Sequence, residues 1–237
     1  MSDLSRVALP SFELRTSMRA LRRYVLARFQ NPAPVRDNHE PEFELIEHLG
    51  ADRASVEIFI SQRFAESFGC RVEAFMPRLF SVRDRDGTIC GAFGLRSAHS
   101  RLFLEQYLDA PIEQAISART GLAIERRMVV EVGHFSGMFP GAVRAMIALL
   151  TERLHRDGTE WVAFTGTAGL RNAFYRLGLT PIDLHPARAE CLPLPARAAW
   201  GSYYDHGPRV LIGSVREGMG AMQEPIAADV FACGDSA

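Results

Sequence analysis

The sequence predicts an α/β (α+β) protein with one mixed central sheet and helices on both of its faces. Three observations carry this reading. Strand and helix patterns alternate along the chain instead of segregating. Two short runs, Met128-Val129-Val130 with Val132 and Trp161-Val162-Ala163-Phe164, are apolar in the manner of strands buried on both sides. The 237 residues, 47% hydrophobic and 23% charged, suit a single globular domain with extensions.

The elements follow in order. Residues 43–48 alternate weakly and read as a first strand. Over residues 51–68, Val56, Phe59, Ile60, Phe64 and Phe68 share one face of a helix that Gly69 stops. Residues 78–83 and 88–96 flank Asp84-Arg85-Asp86-Gly87, a hairpin signal. A helical insert follows, and residues 125–135 hold a buried strand. Val143, Met146, Ile147, Leu150 and Leu154 recur at helical spacing over residues 141–155. The second apolar run is a strand, residues 170–177 a short helix ended by Gly178, and residues 209–215 a late strand.

Both ends differ from this middle. Residues 1–40 read as an Arg-rich extension, in which Leu14, Met18, Leu21, Val25 and Phe29 form a basic amphipathic helix. Such a helix is an ordinary surface element or a docking face for an acidic partner. Residues 41–216 form the expected domain, and residues 217–237, with four acids and no base, a flexible acidic tail.

Composition excludes several functions. The net charge of -1 offers nucleic acid no general attraction. The chain has no lysine, which removes Schiff-base chemistry. Cys70, Cys90, Cys191 and Cys233 lack metal-ligand spacing, so no metal site is expected. No run approaches the roughly 18 apolar residues of a membrane span, and no secretory signal is legible. The expected location is cytoplasmic.

The most informative segment is Val129-Val130-Glu131-Val132-Gly133-His134-Phe135-Ser136-Gly137. A carboxylate in an apolar strand is functional, or it is a structural group paired with an arginine; Glu131 is the candidate catalytic residue. His134 is a substrate contact or a plain strand-end histidine. Beyond them, Phe135, Ser136 and Gly137 lead through Met138-Phe139-Pro140 to Gly141, a helix start. Amides there meet a phosphate or a carbonyl oxygen, or simply form a tight turn. Arg96 holds a substrate carboxylate or pairs with Glu131 or Glu105. Glu105, Tyr107 and Asp109 line a cleft, or Asp109 caps the helix after Pro111. Thr165 and Thr167 follow a buried strand, where open sheets place ligands, and also suit helix capping. Asn172 is a ligand contact or bonds the backbone.

Strand, glycine turn, helix, strand and a short helix ending in Phe174-Tyr175-Arg176-Leu177-Gly178-Leu179 resemble the core of the GNAT acetyltransferase fold. That resemblance implies two splayed strands with the pantetheine arm of an acyl thioester between them. The tyrosine that protonates the thiolate in that family falls on Phe174 here. Glu131-Val132-Gly133-His134-Phe135 is similar to the Glu-x-Ser-Arg-Phe strand of acyl-homoserine-lactone synthases, and Arg96 matches a further arginine of that group. Those enzymes join an acyl group from acyl carrier protein to an amine.

The longest resemblance is to the thermostable haemolysin family, itself GNAT-like. Phe75-Met76-Pro77-Arg78-Leu79, residues 102–113, residues 130–133, Phe164-Thr165-Gly166-Thr167, residues 170–174 and Trp200-Gly201-Ser202-Tyr203-Tyr204 follow its pattern in order, across residues 43–215. These resemblances imply an acyltransferase that uses acyl-CoA or acyl carrier protein, with a small amine acceptor and no metal. Phe135, Ser136, Gly137, Gly141, Thr165, Thr167 and Asn172 would then contact the donor. The alternative is a membrane-active haemolysin, for which only the basic helix in residues 14–29 qualifies.

Overall fold

The computed structural model describes residues 43–223, which lie in one compact unit. The amphipathic helix expected over residues 14–29 lies outside the described residues. Seven strands form one sheet: β1 (Phe43–His48), β2 (Arg78–Asp84), β3 (Ile89–Ser97), β4 (Val129–Gly137), β5 (Trp161–Gly166), β6 (Ile182–Pro186) and β7 (Arg209–Ser214). Their spatial order is β1-β2-β3-β4-β5-β7-β6. Every neighbouring pair is antiparallel except β4 and β5, which run parallel. The connection between that pair is the long helix α3, since parallel strands need a crossover.

The helices are α1 (Arg53–Phe68), α2 (Ile112–Thr120), α3 (Pro140–Arg156), α4 (Ala168–Tyr175), α5 (Leu194–Ala199) and α6 (Val215–Gln223). Alternation along the strands sorts the core between two faces. Phe80, Phe93, Leu95, Val132 and Phe164 pack with Met146, Leu150 and Leu154 of α3. On the other face, Leu79 and Ala92 meet Val56 and Ile60 of α1. There too Val129, Ala163 and Ile212 meet Ile112 and Ile116 of α2. The mixed sheet with helices on both faces is therefore as the sequence predicts.

Three elements depart from that reading, one of them the short helix α5, which is not among the expected elements. β6 is short, half-buried and closed by Pro186, so the alternation of Ile182 and Leu184 with Asp183 and His185 is too brief to stand out as a strand. It lies at the sheet edge, where a strand can be short and a closing proline costs no ladder bond on the open side. The segment expected to be tail from residue 217 begins instead within α6. Gly218 and Gly220 weaken its helical propensity, and its stability comes from packing. Gly218 is buried so close to α3 that a Cβ there would stand 3.1 Å from Thr151.

Candidate active site

The site begins where β4 and β5 part. Their pairing runs from Val129↔Trp161 to Val132↔Phe164 and ends there, while β4 continues to Gly137. On its other side β4 carries a bulge. Gly94 pairs with Gly133 and Ala92 with Ser136, so His134 and Phe135 together oppose Phe93. His134 takes φ 54°, the single non-glycine residue with positive φ among the described residues. The bulge bends β4 away from β5 and leaves the edge of Gly133 to Phe135 without a strand partner.

A cavity of about 950 Å³ opens at this parting. Arg96, Tyr107, Glu131, His134, Phe135 and Gly137 line it, and so do Thr165 and Thr167 at the end of β5. Aromatic rings make much of the wall. Trp200 touches Phe64 and Phe103 edge-on or tilted, with centroids 6.3 and 5.9 Å away. The lining continues along α3 through Ile147 to Leu154 and reaches Gly218 of α6.

Glu131 is 3% exposed. Its Oε2 accepts the amide N–H of Phe103 at 2.8 Å and its Oε1 that of Leu104 at 2.9 Å. These amides open the short 3-10 helix Phe103–Tyr107, whose first N–H groups have no partner within the helix. Burial raises the Glu131 pKa, and the two amides and the Arg96 charge oppose that rise. Arg96 stands directly across the ladder from Glu131. No hydrogen bond or ion pair engages it among the described residues. Its half-buried guanidinium therefore faces the cavity as an uncommitted cation.

His134 packs against Phe75 and Phe64, with centroids 5.5 and 6.1 Å away. Burial pushes its pKa down to about 4. The imidazole is thus neutral near pH 7. Tyr107 shares a 2.5 Å hydrogen bond between hydroxyls with Tyr204. Burial raises the pKa of both, that of Tyr204 to about 12, so neither is a ready acid.

A family model described as "Thermostable hemolysin" matches residues 46–219. The chain belongs to that family. No curated protein matches this hemolysin-family chain. Among solved structures it is similar in fold to TofI in an apo form, at 17% identity and TM-score 0.54, over 77% of this chain and 97% of TofI. TofI in a ternary complex with an inhibitor and MTA matches at 16% identity and TM-score 0.53, over 78% and 98% of the two chains. FeeM, an N-acyl amino acid synthase from uncultured soil microbes, matches at 11% identity and TM-score 0.51, over 78% and 97%. At such identities the likeness is one of fold, here the GNAT-like mixed sheet.

Other candidates of this hemolysin-family chain lie elsewhere. Glu105 does not line the cavity. Its carboxylate pairs with Arg126 at 2.5 and 2.9 Å and accepts the amides of Leu102 and Ile112. Those bonds draw its pKa down to about 2. Asp109 is exposed and makes no side-chain cap for α2, whose first flanking residue is Pro111. Ser136 is buried, and its hydroxyl donates to the His134 carbonyl at 2.9 Å. Gly141 sits in the first turn of α3 beside the Phe139 ring, outside the lining set. Asn172 is exposed on α4.

The sequence reading missed Phe64, Phe75 and Phe103. Residues 70–77 lack any period because the loop is fixed by long-range bonds. Arg53 donates to the carbonyls of Met76 and Pro77 at 2.8 and 2.5 Å, and the Arg71 amide to that of Ala199 at 2.7 Å. The one signal available was the Phe75-Met76-Pro77-Arg78 motif, whose rings and short loop suit a cavity wall.

Proposed function

We propose that this protein is an acyltransferase that moves an acyl group from a thioester, carried on coenzyme A or an acyl carrier protein, to a small amine. The observation that carries the reading is the unpaired edge of β4, which opens into a large apolar cavity beside a buried carboxylate. A thioester laid along that edge would meet backbone N–H groups able to polarise its carbonyl. Its acyl chain would occupy the apolar space along α3. Glu131 holds the amine by one carboxylate oxygen, and Arg96 answers an anionic group on either substrate.

FeeM, similar in fold, is an N-acyl amino acid synthase, which agrees with an amine acceptor. No helix among the described residues is long and apolar enough to cross a membrane. Action on soluble substrates in the cytoplasm fits this, with the Arg-rich segment before residue 37 as the contact for an acidic carrier protein. The lysis in the family's name then follows from the product, since an N-acylated amine is a detergent-like amphiphile.

Mass spectrometry of cells that express the wild-type protein or Glu131→Ala tests the reading. An acylated amine should accumulate with the wild type and be absent with the variant. Purified protein should release free thiol from octanoyl-CoA or octanoyl carrier protein only when that amine is added. No new metabolite, together with direct lysis of red cells by the purified protein, would overturn it.

A further inference from the structure

One group on the cavity wall has no task in the chemistry just described. Regular alternation from Glu131 would carry Gly133 to the same face of β4 and His134 to the opposite one. The bulge reverses this. A Cβ on Gly133 would stand 2.4 Å from Met76, and the next residue, His134, has its ring against Phe64. Met76 and Phe64 belong to one packing cluster, on the α1 face of the sheet. Two successive residues thus project to one side, and the strained backbone at His134 is what brings the imidazole onto the cavity wall with Glu131.

The surrounding groups are otherwise committed. Glu131 is held by two amides, and the Tyr107 hydroxyl by Tyr204. α4 supplies no acid, since Phe174 stacks on Phe164 at 4.9 Å and Tyr175 is 55% exposed and outside the lining set. The Arg96 guanidinium has donors but no acceptor to receive a proton. The Nδ1 atom of His134 is buried without a hydrogen-bond partner. Such an atom in native protein calls for an explanation.

We propose that His134 carries the proton from the attacking amine to the departing thiolate in the acyl transfer put forward above, on which this inference rests. As the amine nitrogen bonds to the thioester carbonyl carbon, one N–H proton passes to the imidazole. The C–S bond then breaks with its electron pair on sulfur, and the imidazolium returns the proton there. An N–H and a C–S bond are lost, a C–N and an S–H bond are gained, and no further reactant is needed. Burial and the Arg96 charge keep the ring a weak base, while the backbone of Ala74 opposes them. Once protonated, such a ring is a strong acid and gives its proton readily to a thiolate.

The test compares wild type with His134→Asn on two donors, octanoyl-CoA and S-phenyl thiooctanoate, with hydroxylamine as the amine. Asparagine tolerates the left-handed backbone, and thermal melting checks that the variant folds. Thiophenolate is a stable leaving group that needs no proton, and hydroxylamine is so weakly basic that its adduct can give its own proton to water. The variant should lose about 10²-fold in kcat/KM with octanoyl-CoA and under about threefold with the phenyl ester. Equal losses on both donors, or none on either, would overturn the proton-transfer role while wild-type turnover leaves the acyl-transfer reading intact. Absence of wild-type turnover on both donors would remove that reading itself, and this role with it.

Discussion

Two glutamates compete for the start of one short helix, and their fates differ. The amide of Leu102 bonds to Glu105, while the next two, of Phe103 and Leu104, bond to Glu131. Both carboxylates exploit the open N–H groups and the positive end of the 3-10 turn. Glu105 also has the Arg126 guanidinium and the Ile112 amide, and its pKa falls to about 2. Among the described residues Glu131 has no ion pair, and burial raises its pKa. A carboxylate enclosed by its own ion pair holds the fold, whereas one held by amides on a cavity wall keeps its charge available to a ligand.

Replacing Glu131 by Gln should break this contrast most visibly. It keeps the shape and one acceptor but removes the charge, so kcat/KM for acyl transfer should fall about 10²- to 10³-fold. The folded state should lose only about 1 kcal/mol, for one weakened amide contact. A denaturant titration beside the kinetic assay separates the two effects, and comparable losses in both would make Glu131 structural.

The Glu105→Ala change should do the opposite. It leaves Arg126 with Glu113 and the Ser100 carbonyl alone and two amides unpaired, at a cost of about 2–3 kcal/mol after allowance for the partial exposure of Arg126. Any effect on activity at temperatures where the protein is folded should be minor. Retained stability would mean that water replaces the ion pair.

A smaller effect separates the two by pH. The folded pKa of Glu105 is depressed, so its contribution is complete above about 4.5 and is lost as pH falls toward 2. That of Glu131 is raised, so its contribution is complete below the unfolded value and is lost as pH rises through the folded one. Stability curves from pH 3 to 8 should show Glu131→Gln gaining on the wild type as pH rises. A constant offset across that range would show that burial does not perturb Glu131.

The sheet was legible because its strands and helices announce their buried faces. Val143, Met146, Ile147, Leu150 and Leu154 repeat at helical spacing, and Trp161 to Phe164 is apolar throughout, so α3 and β5 follow from pattern alone. β6 and α6 were not legible. A proline-ended edge strand and a helix with two glycines take their form from neighbours. At the site, the oddity of Glu131 in an apolar strand was visible. Glu105, in a mixed polar and aromatic segment, read as a cleft residue and not as an ion-paired one, because Arg126 lies 21 residues away along the chain.

By itself, then, the sequence determined the mixed sheet, the helix α3 between β4 and β5 and the presence of a carboxylate in β4, since each depends on local periodicity and burial. Tertiary structure decided which polar groups share a space. The bulge opposite Phe93 turns His134 to the side of Glu131, against the alternation that its position implies. Phe64, Phe75, Phe103 and Trp200 come from four separate segments to close around that pair. Ring contacts across such sequence distances leave no period to read, so only the packed chain could reveal the cavity they enclose.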